Sequence, residues 1–368
     1  MSSGSGLVQR LRSLLEREGP FVSLYLNTEA GDEEGAREMG LRWRALRAAA
    51  AEKGARDAAL SAIDDVVAGA QRRGDGLAAF ASADDISLAL SLSAPIADHV
   101  TTGDVPHLLP LLEWRQDNPR VAVVMSDRIG AQIHVLGGLG PERRDDVEGR
   151  DFPITNVRAG GSSEPRFHRR AENNWEGNAR EVAAELTRVV AGEDIELVVI
   201  AGDVRAITFL QEHMDDAIES IALEIESRPE VGLDEVADQL ERAVAAYAGQ
   251  TIEDQLARFR EERGQRDRAA DGAEATFAAL RMAQVERLLV ARDEAGSQAW
   301  FSPADPTQAA LDRSTLDELG LHDVRPAELV DVAVRTALLT GADVTVVPRL
   351  GEDHSPREGI GALLRFTT

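Results

Sequence analysis

Two apolar runs, VAVVMSD (Val121–Asp127) and AQIHVLG (Ala131–Gly137), decide the fold of this chain. Their lengths and the short turn at 128–130 predict an antiparallel β-hairpin. A long helix is predicted from Pro165 to Ala191, because Pro suits the first turn of a helix. The buried strand ELVVIAG (Glu196–Gly202) follows it. Strands that alternate with long helices are typical of a mixed α/β domain.

Between the hairpin and the helix lies a segment of about 27 residues, Gly138 to Glu164, that shows no clear periodicity. A connection of this length within a compact domain is more often functional or mobile than purely structural. We therefore predict a functional loop in this segment.

The residues before the hairpin predict an α+β domain. The strand FVSLYLNT (Phe21–Thr28) is followed by two amphipathic helices, at about 34–53 and 56–73, and then by the strands GLAAFAS and ISLALSLS. A segment near His107 to Leu112 is expected to close this domain. The stretch QDNPR at 116–120 breaks both periodicities and predicts a boundary.

The residues after the long connecting helix, predicted from about Leu233 to Glu262, have a layered α/β pattern. It includes the strands VERLLVA and DVTVVP and a helix expected from Pro326 to Thr340. We predict three domains in a mixed α/β chain: an N-terminal α+β domain (1–118), a central α/β domain (119–265) and a C-terminal α/β/α sandwich (266–368).

Composition restricts the functions open to the chain. A net charge of −25 opposes bulk attraction to nucleic acid, so any RNA contact must be local and no DNA partner is expected. The absence of cysteine excludes disulfides, thiolate metal sites and Cys nucleophiles. No apolar run is long enough to span a membrane, and the first residues lack a secretory signal pattern. We expect a cytoplasmic protein without membrane contact.

The sequence also lacks the usual catalytic and cofactor motifs. It contains no phosphate-binding loop, no dinucleotide-binding GxGxxG after a strand, no HExxH and no GxSxG. Its seven histidines are dispersed along the chain, so none of them forms a local pair with metal-site spacing. We therefore predict no catalytic residue, no cofactor and no metal site.

One stretch reverses the sign of the charge, RAGGSSEPRFHRRAENNWEGNAR (158–180). It holds five arginines and three glutamates, a net charge of +2. Adjacent glycines allow close approach of another backbone, and the arginines after them share one face of the predicted helix, whose N-terminus adds positive potential. The predicted RNA-binding residues are Arg158, Gly160, Gly161, Ser162, Ser163, Arg166, Phe167, His168, Arg169 and Arg170. The alternative interpretation is a flexible connection followed by a charge-balanced helix.

A second local reversal lies between Arg37 and Arg56, where six basic and two acidic residues give +4. Its helical spacing predicts a basic face formed by Arg37, Arg42, Arg44 and Arg47. A solvated helix balanced by acidic neighbours elsewhere in the domain explains the same pattern equally well.

The whole chain resembles the archaeo-eukaryotic peptide-chain release factor and Pelota superfamily, in the bacterial branch that includes Balon-type ribosome hibernation factors. Release factors of this superfamily carry GGQ followed by a pattern similar to SxxRF. The residues in that register are Gly160, Gly161, Ser162, Ser163, Arg166 and Phe167. FVSLYLNT, VAVVMSD, VERLLVA, GADVTVVP and GALLRF extend the resemblance through all three predicted domains.

The resemblance implies a central RNase H-like domain, a C-terminal L7Ae-like domain and binding to the rRNA of the ribosomal A site. It also implies that the first domain faces the decoding region and that the third serves a protein partner such as a translational GTPase. Ser162 stands where the family has the glutamine that positions water, and its hydroxyl is too short to replace an amide. We therefore expect a non-hydrolytic hibernation or rescue factor.

Two alternatives stay open. The chain could be a release factor or peptidyl-tRNA hydrolase that uses a backbone amide of residues 160–163 with Arg158 or His168 nearby. It could also be a stress or interaction protein that binds no RNA and acts through its acidic surface.

Overall fold

A computed structural model describes residues 5–29, 33–70, 74–83, 85–127, 129–139, 142–148, 164–227, 232–265, 268–292, 297–349 and 354–366. Within these ranges the chain is a mixed α/β protein with several sheets, which confirms the predicted fold class. None of the helices in these ranges combines the length and the apolar character that a bilayer-spanning segment requires.

The chain divides into two compact units. One comprises Asn118–Ala248, and the other combines Gly4–Asp117 with Gly249–Thr368. We call them the central unit and the terminal unit. The boundaries of the three predicted domains and their RNase H-like and L7Ae-like character stay predictions.

The N-terminal part of the terminal unit is an antiparallel sheet covered by helices. A core of Val22, Leu24, Leu60 and Ile63 joins the sheet to the helices on one face. The segment expected to close this part, 107–112, instead runs into a helix that begins at Leu109, and the last strand of the sheet lies earlier in the chain, at His99–Gly103. The strand order is β3-β2-β1-β4, and the elements are α1 (Ser5–Leu15), β1 (Phe21–Asn27), α2 (Glu33–Glu52), α3 (Asp57–Ala70), β2 (Gly76–Ser82), β3 (Asp85–Leu92), β4 (His99–Gly103) and α4 (Leu109–Asp117).

The central unit is a five-stranded sheet in the order β7-β6-β5-β8-β9. The predicted hairpin is confirmed, because β5 pairs antiparallel with β6, and β8 runs parallel to β5. The sequence predicted a loop in the segment 138–164. The structure differs in part, because β7 lies within this segment and pairs with β6. The elements are β5 (Val121–Ser126), β6 (Gly130–Leu136), β7 (Arg143–Glu148), α5 (Glu164–Gly192), β8 (Leu197–Gly202), α6 (Val204–Gln211), α7 (Asp216–Glu219), β9 (Ala222–Glu224) and the part of α8 (Leu233–Gln265) up to Ala248.

Helices cover both faces of the central sheet. On one face, Val182, Leu186 and Val189 of α5 pack with the apolar residues of β5, β6 and β8. On the other face, Val236 and Ala243 of α8 pack over β5 and β8. Strands buried on both faces explain the uninterrupted apolar run in ELVVIAG.

The C-terminal part of the terminal unit contains two further sheets, in the orders β10-β16-β11-β15 and β13-β12-β14. The predicted start of the next helix, at Pro326, is wrong. Arg325–Glu328 forms a strand paired with Gln298–Phe301, and the helix begins at Leu329. The elements are β10 (Ala269–Asp271), α9 (Ala273–Arg281), β11 (Val285–Ala291), β12 (Gln298–Phe301), β13 (Ala309–Ala310), α10 (Arg313–Glu318), β14 (Arg325–Glu328), α11 (Leu329–Leu339), β15 (Asp343–Val347) and β16 (Ile360–Leu364).

Polar side chains join the two parts of the terminal unit. The Nδ1 atom of His107 lies 2.8 Å from Oδ1 of Asp331 on α11. Gln116 of α4 donates to the carbonyl of Val346 and accepts from its amide, at 2.9 and 2.6 Å. These bonds satisfy polar groups that would be costly to bury unpaired, so they fix the register between residues far apart in the sequence.

Candidate nucleic-acid interface

The predicted loop starts from one edge of the central sheet. Ser126 at the end of β5 lies in register with Gly202 at the end of β8, and Gly130 at the start of β6 pairs with Glu148 at the end of β7. We call this edge, defined by these four residues, the loop edge. Glu148 is the last described residue before 149–163, the remaining part of the predicted loop, so this part begins at the loop edge.

The tip of the predicted site lies outside the described residues, namely Arg158, Gly160, Gly161, Ser162 and Ser163. Helix α5 begins at Glu164, one residue before the predicted start. Its backbone therefore places Arg166, Phe167, His168, Arg169 and Arg170 on the first turns of the helix, and their side chains are not described. A spacing of three and four residues puts Arg166, Arg169 and Arg170 on one helical face.

The described side chains of α5 that pack into the core lie in its second half. Among its described side chains, those at 174–177 are half-buried, and the first buried ones are Asn178 and Ala179. At 1.5 Å per residue, the stretch from Glu164 to Asn178 adds about 21 Å of helix before that point. The arginine-bearing turns therefore lie well before the part of α5 that the central core holds.

A feature of the loop edge that sequence analysis did not predict is a cleft of about 490 Å³. We call it the edge cleft. Its lining residues belong to the loop edge, the neighbouring strand ends and the start of α8: Met125, Ser126, Asp127, Ile129, Gly130, Ala131, Gln132, Arg144, Asp146, Val147, Gly202 and Gly232. They come from four separate segments, so no local pattern in the sequence could have revealed them.

Gly202 is required by the backbone at the loop edge. Its φ is +133°, and a Cβ atom there would lie 1.8 Å from the carbonyl oxygen of Ser126. A side chain would therefore collide with the neighbouring strand. The next residue, Asp203, is buried and accepts hydrogen bonds from the amides of Arg205 and Ala206, which caps α6.

The predicted N-terminal basic face lies on α2, which buries Met39, Trp43 and Ala50 against the core. At 3.6 residues per turn, Arg37 and Arg44 fall on the opposite side of the helix. Both are exposed and form no ion pair with any residue that the structure describes. Leu41, between them on the same row, is 58% exposed. We call Arg37, Leu41 and Arg44 the outer row.

The other two predicted arginines, Arg42 and Arg47, flank the buried face of α2. Arg42 forms an ion pair with Asp98 at 2.8 Å and donates to the carbonyl of Asn27 at 2.7 Å. Arg47 pairs with Asp64 at 3.1 Å, and the same carboxylate accepts from the indole N–H of Trp43 at 2.7 Å.

Within the described ranges, no group of three or more His, Asp or Glu residues is arranged to hold a metal ion. The outer row and the arginine-bearing turns of α5 carry positive charge and hydrogen-bond donors. These are the groups that contact phosphate in RNA.

Comparison with known proteins supports the resemblance in the central part of the chain. Residues 120–265 match the family model of bacterial archaeo-eukaryotic release factor family 2. Over this segment the chain is similar to the bacterial branch of this release factor superfamily. The matched segment contains the loop edge, the predicted loop and all of α5.

Two similar proteins match nearly the whole chain. The uncharacterized protein Rv2629 of Mycobacterium tuberculosis strain H37Rv is 25% identical over 367 residues, 97% of this chain and 96% of the relative. The uncharacterized protein MT2704 of strain CDC 1551 has the same identity and coverage.

Solved structures similar to this chain include archaeal translation termination factor aRF1, with 18% identity, coverage of 100% of this chain and 99% of that chain, and a TM-score of 0.28. Saccharomyces cerevisiae Dom34 has 11% identity, 80% coverage of each chain and a TM-score of 0.41. Archaeal Pelota, from a ribosome-bound assembly with ABCE1, has 15% identity, coverage of 98% and 94%, and a TM-score of 0.40. The family assignment rests on residues 120–265 and not on these structures.

Proposed function

We propose that this protein binds the ribosomal A site as a non-hydrolytic hibernation or rescue factor. The observation that carries the proposal is the family match over 120–265, the segment that contains Ser162 where the release factors have the glutamine of GGQ. Binding a vacant site requires shape and charge, whereas hydrolysis requires a group that positions water. A serine hydroxyl lacks the reach and the paired donor and acceptor of an amide.

Two separate positive regions support an RNA partner despite the net charge of −25. The first consists of the loop and the arginine-bearing turns of α5, and the second is the outer row of α2. Each brings arginines whose charge is not cancelled by the surrounding sequence, and arginine forks suit phosphate oxygens. In our proposal the first region contacts the large-subunit rRNA and the second faces the decoding region.

The proposal has three further parts. The protein acts in the cytoplasm, it needs no cofactor or metal, and residues 266–368 contact a translational GTPase. These parts follow from the superfamily resemblance and from the lack of catalytic motifs in the sequence.

The first experiment measures cosedimentation of the purified protein with ribosomes at increasing salt. We expect binding that weakens as salt rises, because contacts with phosphate release counterions. Charge reversal at Arg166, Arg169 and Arg170 should weaken binding without unfolding the protein. Absence of ribosome binding at low salt would favour the alternative of an interaction protein without an RNA partner.

The second experiment measures peptide release from programmed ribosomes by the wild type, Ser162→Ala and Ser162→Gln. We expect no release by the wild type and nearly unchanged ribosome binding by Ser162→Ala, since one hydroxyl contributes at most about 1 kcal/mol. Gly161→Val should impair binding far more, because it blocks close approach of the loop to RNA. Robust release by the wild type that Ser162→Ala abolishes would overturn the proposal and establish a peptidyl-tRNA hydrolase.

A further inference from the structure

The position of the edge cleft is the first argument for a ligand. It lies outside the carboxyl ends of the parallel strands β5 and β8, the position at which open α/β sheets bind ligands. Its volume of about 490 Å³ falls within the range of roughly 300–1,000 Å³ that is usual for small-ligand sites. Because β7 ends at the same edge, the cleft also lies at the base of the predicted loop.

The polar groups of the edge cleft are the second argument. Gln132 on β6 lies in register with Asp146 on β7, and its side-chain amide bonds to no residue within the described ranges. Arg144 donates through Nε and Nη2 to a single oxygen of Asp146, Oδ1, at 3.0 and 2.8 Å. The second oxygen of Asp146 and the Nη1 atom of Arg144 have no partner within those ranges. The cleft thus offers an amide, a carboxylate oxygen and a guanidinium N–H.

The charge of the edge cleft indicates which part of a nucleotide it would accept. Its charged lining residues are Asp127, Asp146 and Arg144, a net charge of −1. This charge disfavours a phosphate. A neutral planar group that carries both donors and acceptors matches the lining better.

The apolar and glycine residues of the edge cleft suit a flat ring. Ile129, in the turn between β5 and β6, is 46% exposed. Gly130, Gly202 and Gly232 add no side chains to the lining, so a planar group can approach the backbone closely. An apolar surface beside edge-reading polar groups is the combination that unpaired bases require.

We propose that the edge cleft binds the base of an unpaired RNA nucleotide. The amide of Gln132 and the carboxylate of Asp146 read the edge of the base, because glutamine pairs with adenine and carboxylates accept from exocyclic amino groups. The inference rests on the proposed function only in taking RNA as the partner. It assigns base recognition to the sheet, apart from the phosphate contacts of the loop and the helix.

The test measures fluorescence anisotropy of labelled single-stranded RNA hexamers, each with one base type, against the full chain. We expect the wild type to bind one or two base types better than the others. Gln132→Ala and Asp146→Asn should each weaken that binding by about tenfold, because each substitution removes a group that reads the base edge. Equal affinity for all four hexamers, or no binding by the wild type, would overturn the inference.

Asp145→Asn is the matched control. Asp145 adjoins Asp146 on β7 but lies on the other face of the sheet, opposite Ile133, and its substitution changes the charge equally. It should leave hexamer binding unchanged or slightly tighter, because a negative charge is removed. Equal effects of Asp145→Asn and Asp146→Asn would contradict base reading. Thermal unfolding of every variant shows whether weaker binding reflects a loss of folding.

Competition identifies the part of the ligand that the edge cleft recognises. Free nucleosides should displace the hexamer and inorganic phosphate at the same concentration should not. Displacement by phosphate alone, or by N-acetyl-arginine amide as a stand-in for a protein side chain, would overturn the inference. Ribosome cosedimentation of the same variants separates the two proposals. If the protein binds ribosomes but no hexamer, the inference about the edge cleft is wrong and the proposed ribosome binding stands.

Discussion

On helix α2, the outer row points away from the core while Arg42 and Arg47 flank the buried face. Arg37 and Arg44 have no ion-pair partner among the described residues, whereas Arg42 and Arg47 bind Asp98 and Asp64 at 2.8 and 3.1 Å. All four arginines contribute equally to a count of charge along the sequence. The structure assigns two of them to holding the domain together and leaves two available to a partner.

The difference between these pairs lies in where the carboxylates come from. Asp98 precedes β4 and is 56 residues from Arg42, and Asp64 belongs to α3, 17 residues from Arg47. A net charge of +4 between Arg37 and Arg56 therefore overstates the positive surface of α2. Position on the helix relative to the buried residues identifies the available arginines better than their number.

Substitution of the outer row should change ribosome binding more than any other change considered below. Replacing Arg37 and Arg44 together by Glu should lower ribosome affinity on the order of 100-fold near physiological salt, because two phosphate contacts become repulsive. The free energy of unfolding should change little, since exposed residues contribute little to stability. Ribosome cosedimentation and urea unfolding of the same protein measure the two quantities.

Arg42→Glu with Arg47→Glu is not a suitable control for that variant, because it places each new carboxylate beside the aspartate that the arginine pairs with, Asp98 or Asp64. Arg42→Gln with Arg47→Gln removes the same number of arginines with less damage. If this neutral variant weakens ribosome binding as strongly as the outer-row variant while remaining folded, the distinction between the two pairs is wrong.

The second effect is on stability. Arg42→Ala should lower the free energy of unfolding by about 1–2 kcal/mol, because it removes the guanidinium that donates to Oδ2 of Asp98 and to the carbonyl of Asn27. The matched variant Arg44→Ala, two residues away and exposed, should change it by less than about 0.5 kcal/mol. Urea denaturation of both variants tests the contrast, and similar decreases would mean that the hydrogen bonds of Arg42 contribute no net stability.

A further pair of engaged side chains, His107 and Asp331 in the terminal unit, is titratable. Burial by itself would lower the pKa of His107, but the hydrogen bond and the charge of Asp331 outweigh it and raise that pKa. Burial raises the pKa of Asp331. Both groups hold protons more tightly in the folded state, so both contribute stability at lower pH that is lost as pH rises.

The double variant His107→Gln/Asp331→Asn holds a neutral pair at the same place. Relative to this variant, we expect the free energy of unfolding of the wild type to fall by about 1 kcal/mol between pH 5.5 and 8.5. Burial lowers the pKa of the neighbouring His99, which has the opposite dependence, so both proteins should carry His99→Gln. Glu328 also faces His107 and is retained in both proteins. Parallel stability profiles for the two proteins would show that the pair does not titrate in this range.

Regular elements with strong local patterns were predictable from the sequence. The hairpin of β5 and β6, the start of α5 and the strand β8 follow from apolar runs and from a proline in a first helical turn. Strand β7 was not predictable, because RRDDVE has no apolar alternation and is held by backbone pairing to β6. Likewise, Pro326 favoured a helix start, but pairing with β12 makes its segment a strand.

The candidate site, like the fold, was predictable only where a local sequence pattern marks it. The arginines of α2 were found by spacing, but the carboxylates that engage two of them come from other elements. The edge cleft combines residues from the ends of four strands, β5 to β8, with Gly232 before α8, and only the sheet order brings these segments together. Local sequence identifies candidate contact residues, and tertiary pairing decides which of them a partner can reach.

Single substitutions in α2 should have a small effect on the salt dependence of ribosome binding, and this effect distinguishes the exposed arginines from the paired ones. The logarithm of an RNA-binding constant falls linearly with the logarithm of salt concentration, and each phosphate that the protein neutralises contributes about 0.7–0.9 to the slope. Arg37→Gln and Arg44→Gln should each reduce the slope of ribosome binding by about that amount. Arg42→Gln should leave it unchanged, because its guanidinium is already paired with Asp98 in the folded protein. Ribosome cosedimentation over a series of salt concentrations gives these slopes, and a reduction for Arg42→Gln equal to that for Arg44→Gln would show that the ion pair opens on the ribosome and that all four arginines of α2 contact RNA.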